Sequence, residues 1–131
     1  MPGPVELTGL PTTATGERVD YDGRRFRPRE AGRDGAAEVP SGLYHQHGDA
    51  VWVEIGGGPV RVGRLVGRVA PDGTLNAAYC LLTAGGDLVA GRCVSTPTLL
   101  DDGRIALRER WHRADGTSGV SWIEEVPDDG N

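Results

Sequence analysis

The sequence predicts an all-β domain: an antiparallel up-and-down meander of roughly eight strands, closed into a barrel around a small-molecule lumen. Three observations predict it. From Leu43 onward, turn clusters recur at short, even intervals: Gly48-Asp49, Gly56-Gly57-Gly58-Pro59, Pro71-Asp72-Gly73, Gly85-Gly86-Asp87, Asp101-Asp102-Gly103 and Ala114-Asp115-Gly116-Thr117. The runs between them are rich in Val, Leu, Ile, Trp and Thr, which suit a pleated, half-buried surface. No window carries a helical period.

The 131 residues suit one domain with a modest core. Net charge is −5, which argues against a nucleic-acid partner. All basic side chains apart from histidine are arginine, so a Schiff-base lysine and a phosphate-loop lysine are excluded. Two cysteines, Cys80 and Cys93, make no disulfide framework. The stretch from Met1 to Asp20 lacks a basic region followed by an apolar one, so no signal peptide is expected, and no apolar run is long enough to span a membrane. A cytoplasmic protein with free thiols is the expectation.

In chain order, residues 1–18 read as a flexible tail or as a segment folded over one barrel end, 19–127 as the barrel, and 128–131 as a C-terminal tail. Val19 to Phe26 is the expected first strand, followed by an irregular stretch from Arg27 to Pro40. The Gly-ended turns at 71–73 and 101–103 suit three-residue loops with Gly in the left-handed conformation. They pair Leu65 with Tyr79, Gly67 with Ala77, Val69 with Leu75, Ser95 with Glu109 and Cys93 with Trp111. A two-residue loop at Asp115-Gly116 would pair Trp111 with Val120, Glu109 with Trp122 and Leu107 with Glu124. Alternation then sends Arg61, Gly63, Leu65, Gly67, Val69, Leu75, Ala77, Tyr79, Leu81, Gly91, Cys93, Ser95, Ile105, Leu107, Glu109, Trp111, Val120, Trp122 and Glu124 inward. Before residue 60 the inward side stays open: either Val51, Val53 and Ile55, or Trp52 and Glu54.

Two features of that lumen carry chemistry. Gly63, Gly67, Gly91 and Ala77 are small where a filled core wants bulk, so they either leave room for a ligand or mark tight barrel corners. Glu109 and Glu124 fall on apolar faces beside Trp111 and Trp122. A carboxyl there is either bonded, to Arg61, Arg92 or Tyr79, or neutral and able to exchange a proton. His45 and His47 share a strand face but lack the further ligands a metal needs, so no metal is expected. Cys93 has no positioned histidine and reads as a buried thiol. Arg108, Arg110 and Arg113 read as a solvated face.

Several segments together resemble a family of short bacterial proteins often labelled N-acetylglutamate synthase. They are Tyr21-Asp22-Gly23-Arg24-Arg25-Phe26-Arg27, Tyr44-His45-Gln46, Gly91-Arg92-Cys93 with Ser95-Thr96-Pro97, Glu109-Arg110-Trp111 and Ile123-Glu124-Glu125. The resemblance spans about Tyr21 to Val126 and implies a compact β domain. Where such relatives tend to carry polar residues, this chain has Tyr79-Cys80-Leu81-Leu82-Thr83, which implies a more apolar ligand. In size and architecture the chain also resembles calycin-type barrels and the small cofactor-free barrel cyclases of polyketide pathways.

The resulting expectation is a cofactor-free cyclase or isomerase acting on an apolar natural-product intermediate. Glu109, Glu124 and Tyr79 would handle protons. Arg61, Leu65, Cys93, Ser95, Leu107, Trp111, Trp122, Tyr44 and Trp52 would contact the ligand. The alternatives are a non-catalytic binding barrel and a structural or regulatory barrel with a filled core. No cofactor, nucleic-acid or membrane partner is expected, and the chain is taken as a monomer or homodimer.

Overall fold

A computed structural model describes residues 19–29 and 39–127. The expected tails at 1–18 and 128–131, and most of the irregular stretch after Arg29, lie outside the described residues. Eight strands follow one another: β1 (Arg25–Pro28), β2 (Ser41–His47), β3 (Ala50–Gly57), β4 (Val60–Val69), β5 (Leu75–Thr83), β6 (Leu88–Leu99), β7 (Ile105–Arg113) and β8 (Ser118–Glu125). Each pairs antiparallel with the next, and β1 pairs with β8, so the sheet closes into an all-β barrel.

One turn is used four times. At 70–74, 83–87, 100–104 and 113–117 the first residue's N–H donates to the fifth residue's carbonyl, and the fourth residue's N–H donates back to the first carbonyl. The fourth residue is always glycine with positive φ: 93° at Gly73, 96° at Gly86, 91° at Gly103 and 96° at Gly116. In three of the four, the Asp before that glycine accepts from the N–H two residues on, at 3.0 Å (Asp72 to Thr74), 3.1 Å (Asp102 to Arg104) and 2.9 Å (Asp115 to Thr117). These are three-residue loops with a glycine bulge.

The turns set the register as expected at 71–73 and 101–103: Leu65 pairs with Tyr79, Val69 with Leu75, Ser95 with Glu109 and Cys93 with Trp111. The β7–β8 hairpin differs by one residue. Trp111 pairs with Gly119, Glu109 with Ser121 and Leu107 with Ile123. Ala114 belongs to the loop, so the turn is the same three-residue turn found elsewhere and not a two-residue one. Because side chains alternate, that single residue reverses every side chain of β8. Gly119, Ser121 and Ile123 take the lumen side, while Val120, Trp122 and Glu124 take the outer side.

Two other expectations are corrected. The first strand starts at Arg25 rather than Val19, because Tyr21 to Arg24 forms a turn with Gly23 at φ 82°. Arg61 is exposed rather than inward. It is the extra residue of a β-bulge between Val60 and Val62, which turns Val60 into the core in its place.

The core fills one barrel end. Tyr21, Phe26 and Tyr44 form a ring cluster with centroids 4.8–6.4 Å apart, packed on Val51, Val53, Leu75 and Leu107. The Tyr21 hydroxyl donates to the Gly73 carbonyl at 2.6 Å, and its N–H donates to Gln46 Oε1 at 2.8 Å. Tyr21 thus stoppers this end.

Closure runs through the four-residue β1, extended by backbone bonds from the Gly23 N–H to the Tyr44 carbonyl, the Tyr44 N–H to the Arg24 carbonyl and the Val126 N–H to the Arg25 carbonyl. β1 meets β2 over only Arg25–Leu43 and Phe26–Gly42, and meets β8 over Phe26–Glu125, Arg27–Glu124 and Pro28–Ile123. Pro28 has no N–H to extend the ladder. Beyond it, the Ser118–Trp122 part of β8 has no second strand neighbour among the described residues.

Two turn glycines separate backbone strain from packing. A Cβ at Gly116 meets nothing within 4 Å, whereas one at Gly73 comes within 2.6 Å of Val19 Cγ2 and 3.1 Å of Pro97 Cγ. Gly116→Ala is expected to cost about 1–2 kcal/mol from its φ alone. Gly73→Ala should cost clearly more. Urea titrations of both variants measure the difference; equal costs would refute the packing role of the 71–73 turn.

Candidate functional site

Above the aromatic stopper the barrel is not filled. A cavity of about 450 Å³ runs to the opposite end, within the range of small-molecule sites. Its wall includes Val53, Ile55, Val60, Leu65, Leu81, Trp111 and Ile123, with Phe26 and Tyr44 below. Among the described residues, its lining beside the seam between β1 and β8 includes Pro28, Pro40, Ser41 and Val120 to Ile123.

The inward glycines explain how the space stays open. A Cβ at Gly91 would lie 2.7 Å from the Tyr79 hydroxyl, one at Gly119 2.5 Å from Trp111 Cζ2, and one at Gly63 2.5 Å from Leu81 Cδ2. Each glycine admits one large side chain in close approach, and at Gly91 the His112 carbonyl oxygen is closer still, 2.4 Å from that Cβ position. The two readings of these small residues therefore meet: they are sites of close approach, and that approach keeps bulk out of the lumen.

Glu109 is the one carboxyl among the described residues that line the cavity. It faces inward as expected. Its partner is the Ser95 hydroxyl, which donates to Oε2 at 3.3 Å from a fully buried position. None of Arg61, Arg92 and Tyr79 is its bonding partner. Burial pushes the Glu109 carboxyl up from 4.5 to about 7, only partly offset by the Ser95 hydrogen bond. Around it, burial raises the Tyr44 phenol well above its usual range and the Cys93 thiol to about 12. Tyr79 is raised as well, chiefly by burial, with Arg113 acting the other way.

At the mouth, Trp111 Nε1 donates to Ser121 Oγ at 3.0 Å, and the Arg113 guanidinium lies 4.9 Å from the Trp111 ring centroid. Arg113 is exposed but lines the cavity rim, so it is not merely part of a solvated face.

The structure brings Glu109, Tyr79, Tyr44, Leu65, Cys93 and Trp111 to one cavity. Ser95 and Leu107 are fully buried outside its lining, Ser95 as the support of Glu109 and Leu107 in the core. Three expected site residues, Trp52, Arg61 and Glu124, lie outside the lining, and Trp122 lines it from the outer-facing set of β8. Trp52 is 41% exposed on the outer face, stacked on His45 with centroids 5.5 Å apart, because β3 turns Val51 and Val53 inward. Arg61 is displaced by the bulge. Glu124 pairs with Arg29 and Arg104 outside the barrel. Trp122, on the outer side of β8, lies under the Arg29 guanidinium at 4.5 Å and is still among the residues that line the cavity. The last two follow from the one-residue register difference.

Sequence reasoning missed Ser121, Ile123, Val60, Phe26 and Arg113. A signal for the first two exists: Ala114-Asp115-Gly116-Thr117 repeats the pattern of Pro71-Asp72-Gly73-Thr74, and treating both turns alike gives the observed register.

His45 and His47 lie on the outer side of β2; His45 Nε2 is 3.6 Å from Glu54 Oε1. No group of three His, Cys, Asp or Glu side chains comes together among the described residues. Cys80 is exposed and Cys93 buried; both are free.

A closed eight-stranded meander with one stoppered end and an apolar lumen defines a calycin-type barrel. The sequence pattern of the avidin-like proteins matches residues 19–126, and the chain belongs to that family. The N-acetylglutamate synthase label finds no support beside it. Neither the curated proteins nor the solved structures give a match.

The raised Glu109 pKa has a signed consequence. Between about 4.5 and 7 the folded state holds a proton that the unfolded chain has lost, so this group's contribution to stability falls as pH rises through that window. Glu109→Gln removes the titration. The variant should match wild type near pH 4 and exceed it at pH 8 by on the order of 2 kcal/mol. Thermal melts of both proteins across this range measure the difference; a pH-independent difference would refute the assignment.

Proposed function

We propose that the protein is a non-catalytic small-molecule-binding barrel. The observation that carries this reading is the cavity of about 450 Å³, lined mainly by apolar and aromatic side chains and open at one end, in a chain of the avidin-like family. The wall supplies burial, roughly 25 cal/mol per Å² of apolar ligand surface. The glycine seats hold Tyr79, Leu81 and Trp111 in place before a ligand arrives, which lowers the ordering cost of binding. The mostly apolar wall favours a ligand with an apolar body.

One observation favours a second reading, a cofactor-free cyclase or isomerase. Glu109 lines a mostly apolar cavity, and burial raises its carboxyl to about 7, near neutrality as a general acid or base requires. It would act without Glu124, which is outside, and beside a Tyr79 whose proton is held. On such an enzyme Glu109→Gln would lower turnover by about 10²–10⁴-fold. A binding protein has no turnover to lose.

Mass spectrometry of the intact, natively purified protein tests the binding reading by detecting a retained small molecule, and thermal-shift screening against a metabolite library identifies stabilising ligands. Leu81→Trp narrows the lumen near its mouth. It is expected to weaken binding of any such ligand by more than about tenfold, a loss of about 1.4 kcal/mol, while the barrel still melts cooperatively. Undiminished binding by the folded variant would place the ligand outside the lumen and overturn the proposal.

A further inference from the structure

We infer that the lumen selects a ligand with an apolar body and a basic nitrogen at its inner end, whose N–H groups pair with Glu109. This deepens the reading just proposed and rests on it.

The inference starts from an electrostatic imbalance. Of the described cavity-lining residues, Glu109 alone can carry a negative charge near neutral pH. The titratable groups grouped with it are Tyr44 on β2, Tyr79 on β5 and Cys93 on β6, and each keeps its proton because burial raises its pKa. On β8 the residue opposite is Ser121, which does not titrate. The positive groups of the described lining are Arg113 at the end of β7, held against Trp111, and Arg27 on β1 at the seam. All three histidines lie outside the cavity lining. Among the described residues, the lumen charge near neutral pH therefore changes through Glu109.

The carboxyl is also under-bonded. A carboxylate accepts at four lone-pair sites, and the one bond to Glu109 among the described residues is the 3.3 Å contact from Ser95 to Oε2. No arginine among the described residues pairs with it. A half-buried carboxylate without a counter-charge is costly, and a cationic donor arriving with the ligand reduces that cost. Such a charge-assisted bond is roughly twice as strong as a neutral one. The lining adds the rings of Phe26, Tyr44, Tyr79 and Trp111, whose faces attract a cation. A carboxylate ligand would instead meet Glu109 as a like charge.

The test compares three probes of one shape on the full chain: phenylbutylamine, phenylbutanol and phenylbutyrate, titrated by calorimetry at about pH 8 and again at about pH 5, either side of the Glu109 titration. At the higher pH the amine is expected to bind about 10–100-fold more tightly than the alcohol. The preference should shrink at the lower pH, where the amine stays charged and Glu109 takes up its proton. Glu109→Gln should abolish the preference at both pH values while retaining the alcohol. The pH arm needs no variant, so a folding defect in Glu109→Gln leaves the test intact. Equal binding of amine and alcohol, or tighter binding of the butyrate, would overturn the basic-nitrogen inference and leave the binding barrel standing. If none of the three binds and no small molecule is retained on purification, both fall.

Discussion

Strand parity governs this molecule. In a closed sheet each residue faces either the lumen or the solvent, and one extra residue in a turn or strand exchanges the two sets. Two such choices decide what the cavity contains. The bulge at Arg61 removes a guanidinium from the interior and replaces it with Val60. The three-residue loop at 114–116 puts Ser121 and Ile123 inside and leaves Glu124 outside. Had either gone the other way, a further charged side chain would point inward besides Glu109, with Arg113 and Arg27 already at the margins of the lining. That Glu109 is the one carboxyl among the described lining residues is thus a product of the register.

The shortest strand bears on closure and stability. β1 joins β2 to β8 with a handful of pairs and stops at a proline. Charge reinforces the joint: Arg24 Nη1 contacts both Glu125 oxygens at 3.0 Å, and Arg104 Nη1 donates to the Glu125 carbonyl at 2.9 Å. Glu125 Oε1 also accepts from the Ile105 N–H at 3.1 Å. Solvent-exposed ion pairs contribute about 0–1 kcal/mol each, so the clasp adds geometry more than energy. Tyr21 completes the closed end by bonding across to Gly73. Past the clasp, the Ser118–Trp122 part of β8 pairs only with β7 among the described residues. One short strand therefore closes the barrel.

Much of the fold was legible in the residues. Regular Gly-containing turns and β-branched runs gave the eight-stranded meander, and two Gly-ended turns gave the registers that place Leu65, Tyr79, Cys93 and Glu109 inside. The β8 placement went wrong because a two-residue and a three-residue loop are both compatible with Asp115-Gly116, and β8 itself, Ser118-Gly119-Val120-Ser121-Trp122-Ile123, has apolar residues on both faces. Its pattern could not vote against the slip. Trp52 and Val53 posed the same ambiguity on β3. Tyr21 was unreadable as a core residue because its burial depends on reaching Gly73, far away in the chain.

The sequence by itself determined the architecture, the turn positions and the presence of an inward carboxyl, because these rest on local turn chemistry and a two-residue period. Only the tertiary structure decided that the lumen is a cavity rather than a core. Whether a glycine leaves a hole or receives a neighbour depends on which side chain crosses from the next strand. Here Tyr79, Trp111 and Leu81 fold onto Gly91, Gly119 and Gly63, and the space they vacate is visible only once the sheet has closed.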